Sequence, residues 1–116
     1  MPKARAIDPF VEFVLDQLRD MEEVRAKRMF SGYGLYRGDV FFGIVSQARL
    51  YFKTDEKSRK AYVKREMGPF QPTAKVTLKS YYEVPADVLE DRDKACAWAM
   101  RALKCSREAK EGDGGA

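Results

Sequence analysis

Between Arg28 and Lys53 the chain reverses direction every few residues, and this limits its fold more than any other feature. Arg28-Met29-Phe30 reads as a short extended piece, and Ser31-Gly32-Tyr33-Gly34 is rich in small, turn-forming residues. Leu35-Tyr36 resumes an extended run and Gly38-Asp39 marks a tight turn. Val40-Phe41-Phe42-Gly43-Ile44-Val45 has the β-branched and aromatic content of a strand, as does Arg49-Leu50-Tyr51-Phe52-Lys53 after the turn Ser46-Gln47-Ala48. Parallel neighbours need a long crossover, whereas links this short join antiparallel ones. The segment therefore predicts a three-stranded antiparallel meander.

Helical signals flank it. Asp8 is a favoured N-cap and Pro9 suits the first helical position, where no partner for an N–H exists. Phe10, Phe13, Val14, Leu18 and Met21 form one apolar stripe, which predicts a helix ending between Met21 and Val24. A second helix is predicted over 55–66, with Thr54 as its cap and Asp55 and Glu56 at the favourable end of the dipole. Gly68-Pro69 stops it. Residues 70–75 read as a loop with room for one further strand. Val76 to Val84 alternates, placing Val76, Leu78, Ser80, Tyr82 and Val84 on a buried face until Pro85 ends the strand. Asp87 to Asp91 reads as a turn or short helical piece. A last helix over 92–107 would bury Ala95, Trp98, Ala99, Ala102 and Leu103. The expected fold class is α+β, two-layer, an antiparallel sheet with flanking helices in the order α-β-β-β-α-β(β)-α. One domain is expected over 8–107 and a flexible C-terminal tail over 108–116.

The chain of 116 residues has no histidine, so it lacks the commonest general base and metal ligand. Cys96 and Cys105 lie nine positions apart on one predicted helix, on opposite sides and about 13 Å apart along the axis, too far for a disulfide. Two such thiols make no zinc site. No Gly-x-Ser-x-Gly elbow or P-loop occurs. Gly32-Tyr33-Gly34-Leu35-Tyr36-Arg37 starts like a dinucleotide fingerprint, but Arg37 replaces the last glycine and a strand follows where a helix is needed. The expectation is a non-enzyme with no catalytic residue, cofactor or metal. The N-terminus shows no targeting segment and no run approaches a membrane span, which leads us to expect a cytoplasmic protein.

The formal charge of +4 is localised. Residues 57–84 hold Lys57, Arg59, Lys60, Lys64, Arg65, Lys75 and Lys79 against Glu66 and Glu83. That is +5, leaving −1 for the rest. Lys57, Lys60, Lys64 and Arg65 gather on one side of the second helix at spacings of three and four. Such a face fits either a solvated helix surface or direct nucleic-acid binding through phosphate contacts.

Several blocks, in order, resemble one family. Met29-Phe30-Ser31-Gly32-Tyr33-Gly34-Leu35-Tyr36 is similar to the Met-Phe-Gly-Gly-Tyr-Gly-Leu/Ile-Tyr block of the N-terminal domain of the TfoX/Sxy regulators, with Ser31 in place of the usual glycine. Leu50 to Glu56, Gly68-Pro69-Phe70, Tyr81 to Pro85, Val88 to Asp91, Ala97-Trp98-Ala99 and Arg101-Ala102-Leu103 extend the likeness over residues 10–105. Full-length competence regulators of this family add a C-terminal helical domain. The resemblance implies a regulator that promotes transcription of DNA-uptake genes together with the cyclic-AMP receptor protein. It transfers no catalytic residue. Phe30, Tyr36, Phe42, Phe52 and Trp98 read as core. A protein partner in the transcription machinery is expected; exposed aromatics would be its anchors, and Tyr33 and Tyr81 are either such anchors or packed rings. A twin chain covering a sheet edge would give a homodimer.

Overall fold

The computed structural model describes residues 8–29 and 32–115, with side chains as far as residue 109. Helix α1 (Pro9–Gln17) precedes a four-stranded meander of β1 (Val24–Met29), β2 (Gly32–Arg37), β3 (Val40–Ser46) and β4 (Arg49–Lys53). Helix α2 (Glu56–Lys64), the hairpin β5 (Pro69–Thr73) and β6 (Val76–Glu83), and helices α3 (Ala86–Glu90) and α4 (Arg92–Gly115) follow. The six strands form one antiparallel sheet in the order β1-β2-β3-β4-β6-β5. The α+β class and the expected order hold: the further strand allowed near 70–75 is β5, the short helical piece is α3, and β1 is added.

Helix α1 stops at Gln17, short of the expected Met21–Val24. Its last turn carries Asp16 and no cation, which opposes the helix dipole. Leu18 and Met21 still reach the core from the turns that follow. Gln17 Nε2 donates to the Leu89 carbonyl at 2.8 Å and ties α1 to α3. At the other terminus α4 continues to Gly115, past the expected end at 107. Ala109 is followed by Lys110 and Glu111, both good helix formers. The expected core residue Phe30 and the family departure at Ser31 lie outside the described residues.

A β-bulge sorts the sheet's side chains. The β2–β3 register pairs Leu35 with Gly43 but Tyr36 with Phe41, leaving one extra residue on β3. Phe42 and Val45, three apart, therefore both face the helices, and Phe41 and Ile44 face away. The main core joins Phe42, Leu50, Phe52 and Leu35 to Val11, Val14 and Leu18 of the α1 segment, Tyr62 of α2, Val88 of α3, and Ala95, Ala99, Ala102 and Leu103 of α4. A smaller cluster of Ile44, Tyr51 and Phe70, with Phe41 and Tyr81 against it, occupies the opposite face.

Two expectations about buried faces are corrected. Val76 and Leu78 are exposed, because only Tyr81–Glu83 of β6 pairs with β4 and no helix of the core cluster lies over the far half of the strand. Tyr36 and Trp98 are half-buried where full burial was expected. Tyr36 packs on Phe41, on the face opposite the main core, and Trp98 lies at the edge of the helical layer.

Candidate partner-binding groove between two helices

Helix α2 begins with a capping box. The Asp55 carboxylate accepts from the Ser58 amide at 2.7 Å, and the Ser58 hydroxyl accepts from the Asp55 amide at 3.0 Å. Thr54, the expected cap, is buried. Its hydroxyl donates to the Ser80 carbonyl at 2.9 Å and fastens the segment to β6. Arg101 of α4 reaches the Asp55 carboxylate at 3.4 Å and joins the two helices at this end.

The Ser58 amide, the Ser58 and Cys105 side chains and Arg101 together hold the Asp55 carboxyl well below its ordinary 3.8, at about 2, against a smaller opposing effect of burial. Cys105 is buried beneath it, its Sγ 3.6 Å from Ser58 Oγ. The Asp55–Ser58–Cys105–Arg101 cluster fastens the start of α2 to α4.

The folded-state pKa lies below the unfolded one, so the capped form is favoured above pH 4 and loses this advantage as pH falls from about 4 to about 2. Asp55→Ala is expected to cost about 1–2 kcal/mol in urea unfolding at neutral pH. Asp55→Asn, which can still cap, should flatten the acid-side fall in stability. An unchanged acid profile in Asp55→Asn would refute this role for Asp55.

One turn further on, the helices part and leave a groove of about 420 Å³. Tyr62 and Trp98 form its floor, with ring centroids 4.8 Å apart in an edge-on arrangement. Ala61 and Ala97, both exposed, form its walls and keep it open because neither side chain can fill it. Lys57 and Arg101 stand on its rim. The Arg65 guanidinium lies 5.5 Å over the Trp98 ring and is ion-paired with Asp87 of α3. That bond holds the Asp87 carboxyl below the usual carboxylate range. A second hollow shares Lys57 and Arg101 with the groove and adds Asp55, Glu56, Lys104 and Glu108. Together they make one trough, aromatic at one end and charged at the other.

The residues singled out from sequence are only partly brought together. Lys57, Lys60 and Lys64 are exposed on one side of α2, and among the described residues none has an ion pair. Arg65 leaves that group for Asp87 and Trp98. Tyr33 lies on β2, separated from the α2 side by β3 and β4, half-buried against the main core with Arg28 over its ring. Tyr81 is no exposed anchor either. It packs on Phe41 with ring centroids 5.7 Å apart, the Lys53 ammonium lies 5.2 Å from its ring centre, and burial pushes its hydroxyl up to about 12.

Sequence reasoning overlooked Ala61, Ala97 and Arg101, and it assigned Trp98 to the core. Two exposed alanines beside large rings on separate helices were the available signal. Among the described residues, no cluster of three or more Cys, Asp or Glu is placed to hold a metal, and no helix is long and apolar enough to cross a membrane.

The family model described as TfoX N-terminal domain matches residues 16–106. The chain belongs to that family. The match runs from the end of α1 to the middle of α4 and takes in the whole sheet and every residue of the groove. No curated protein matches the TfoX-type chain.

Proposed function

We propose that this TfoX-type domain is a non-catalytic regulatory module that works in the cytoplasm by holding a segment of a protein partner in the α2–α4 groove. One observation carries the reading: the Trp98 ring is half-exposed beside an alanine-walled opening and ringed by Lys57, Arg65 and Arg101. An aromatic floor with a polar rim is the pattern of a binding hot spot. The cations select an acidic segment with an apolar anchor, and the anchor fits against Trp98 between the alanines. A groove of this size holds a few side chains, which suits a transient contact of the kind regulators use. The family resemblance supports reading such a partner as part of the transcription machinery, with DNA-uptake genes as the regulated set.

Ala61→Glu and Ala97→Glu test this without touching the core, since both positions are exposed on helices and glutamate is a good helix former. Each variant puts bulk and negative charge into the groove. Both should keep the parent circular dichroism and urea midpoint but lose partner binding and regulatory activity at least about tenfold, the equivalent of 1.4 kcal/mol. Folded variants that bind and regulate like the parent would refute the groove as the site.

A further inference from the structure

The β5–β6 ribbon has no counterpart in the groove. Strand β4 ends at Lys53, opposite Tyr81, so β6 beyond Ser80 has only β5 beside it. Every residue from Thr73 to Lys79 is exposed. The turn is fixed locally: Thr73 Oγ1 accepts from the amides of Lys75 and Val76 at 3.2 and 3.1 Å, and Gln71 Nε2 donates to the Ala74 carbonyl at 3.2 Å. A two-stranded ribbon in water is marginal by itself. This one still carries Val76 and Leu78 with 44% and 37% of their surface exposed.

We propose that this ribbon is an arm that enters the major groove of duplex DNA. No carboxylate occurs between Pro69 and Tyr82, while Lys75 and Lys79 lie in that stretch with no ion pair among the described residues. The arm is therefore purely cationic, as phosphate contact requires. Its width suits the site: strands about 4.8 Å apart, with side chains, fit a B-form major groove about 12 Å wide. The deep, narrow major groove of A-form RNA would refuse it. Val76 and Leu78, on one face of the strand, supply apolar contacts of the kind thymine methyl groups accept.

Helix α2 packs on the base of the same strand. The Tyr62 and Tyr82 ring centroids are 6.1 Å apart, and the Arg59 guanidinium lies 5.8 Å from the Tyr82 ring centre. Exposed Lys57, Lys60 and Lys64 lie on the side of α2 away from Tyr62, so the arm's own Lys75 and Lys79 carry its phosphate contacts. The inference goes beyond the protein-binding groove and does not depend on it.

The test is fluorescence anisotropy of a labelled, mixed-sequence DNA duplex about two helical turns long, titrated with the full chain between about 50 and 200 mM salt. Lys75 and Lys79 on phosphates predict a slope of log affinity on log salt near −1.8, about −0.9 for each. Lys75→Gln/Lys79→Gln should reduce that slope by about two and weaken binding at least about tenfold at the lower salt. Val76→Ser/Leu78→Ser should weaken binding with the slope unchanged. All these positions are exposed, so circular dichroism should stay at the parent value. Three results would each overturn the proposal: no binding at the lower salt, parent affinity in the lysine pair variant, or equal affinity for double-stranded RNA. Ribbon variants that alter sedimentation and leave DNA affinity unchanged would also overturn it and make the ribbon a self-association arm.

Discussion

Phe52→Ala should lower the unfolding free energy by about 3–5 kcal/mol, the largest single effect expected in this chain. Phe52 is 0% exposed at the centre of β4, its ring centroid 5.9 Å from that of Phe42. Its neighbours come from both layers. Strands β3 and β6 hold it laterally, and α4 lies across β3 and β4 on the helical side. The sheet cannot collapse into the space left behind, because its strand spacing is set by the backbone hydrogen bonds. The cavity term therefore adds to the lost transfer energy. Domains of this size are stable by about 5–15 kcal/mol, so the variant would lose a large share of its margin. Urea unfolding followed by circular dichroism checks it. The midpoint should fall while the slope stays near the parent value. A loss below about 1 kcal/mol would mean that Phe52 is not where the core closes.

Gly32→Ala should cost about 3 kcal/mol for a different reason. A Cβ at position 32 would lie 2.0 Å from the Val45 carbonyl oxygen and 3.1 Å from Ser46 Cα. Both contacts are backbone, so no side chain can swing aside. Either β2 moves off β3 at this end or the Val45 carbonyl tilts out of its ladder, which places the change at the upper end of overpacking costs. Gly38→Ala is the informative contrast. Position 38 has open space around it but a φ of +59°, so the penalty there is conformational and smaller. Urea midpoints of the two variants, measured side by side, should rank Gly32→Ala well below Gly38→Ala. The reverse order would show that turn geometry outweighs the close strand approach.

What the sequence could reveal depended on how local the physics was. The strands β3 and β4 and the breaks at Gly38 and Pro85 are written in neighbouring residues, and the structure has them where the pattern put them, whereas α2 ends at Lys64, before the expected stop at Gly68. Strand β1 was hidden. Val-Arg-Ala-Lys-Arg-Met alternates only weakly, as an edge strand with one wet face does, and its first residues merged with the apolar stripe of α1. The far half of β6 shows the converse failure. Its alternation is regular, but alternation does not say whether a layer exists to cover the face, and here the core cluster supplies none over Val76 and Leu78.

The groove was least legible because it is assembled from residues about thirty-five positions apart. Helical spacing placed Lys57, Lys60 and Lys64 on one side of α2, as the structure has them. It could not show that Asp87 and Trp98 would claim Arg65, or that Arg101 would replace it at the rim.

Trp98 is the chain's single tryptophan and forms the groove floor, so its emission reports directly on occupancy. The decisive measurement is a fluorescence titration with a helical peptide that presents leucines at i, i+3 and i+4 and is flanked by glutamates. The emission should shift and saturate, the response should weaken with added salt, and Ala61→Glu should abolish it. Unchanged Trp98 emission, or an equal response to the same peptide flanked by lysines, would contradict a groove built to hold an acidic partner segment.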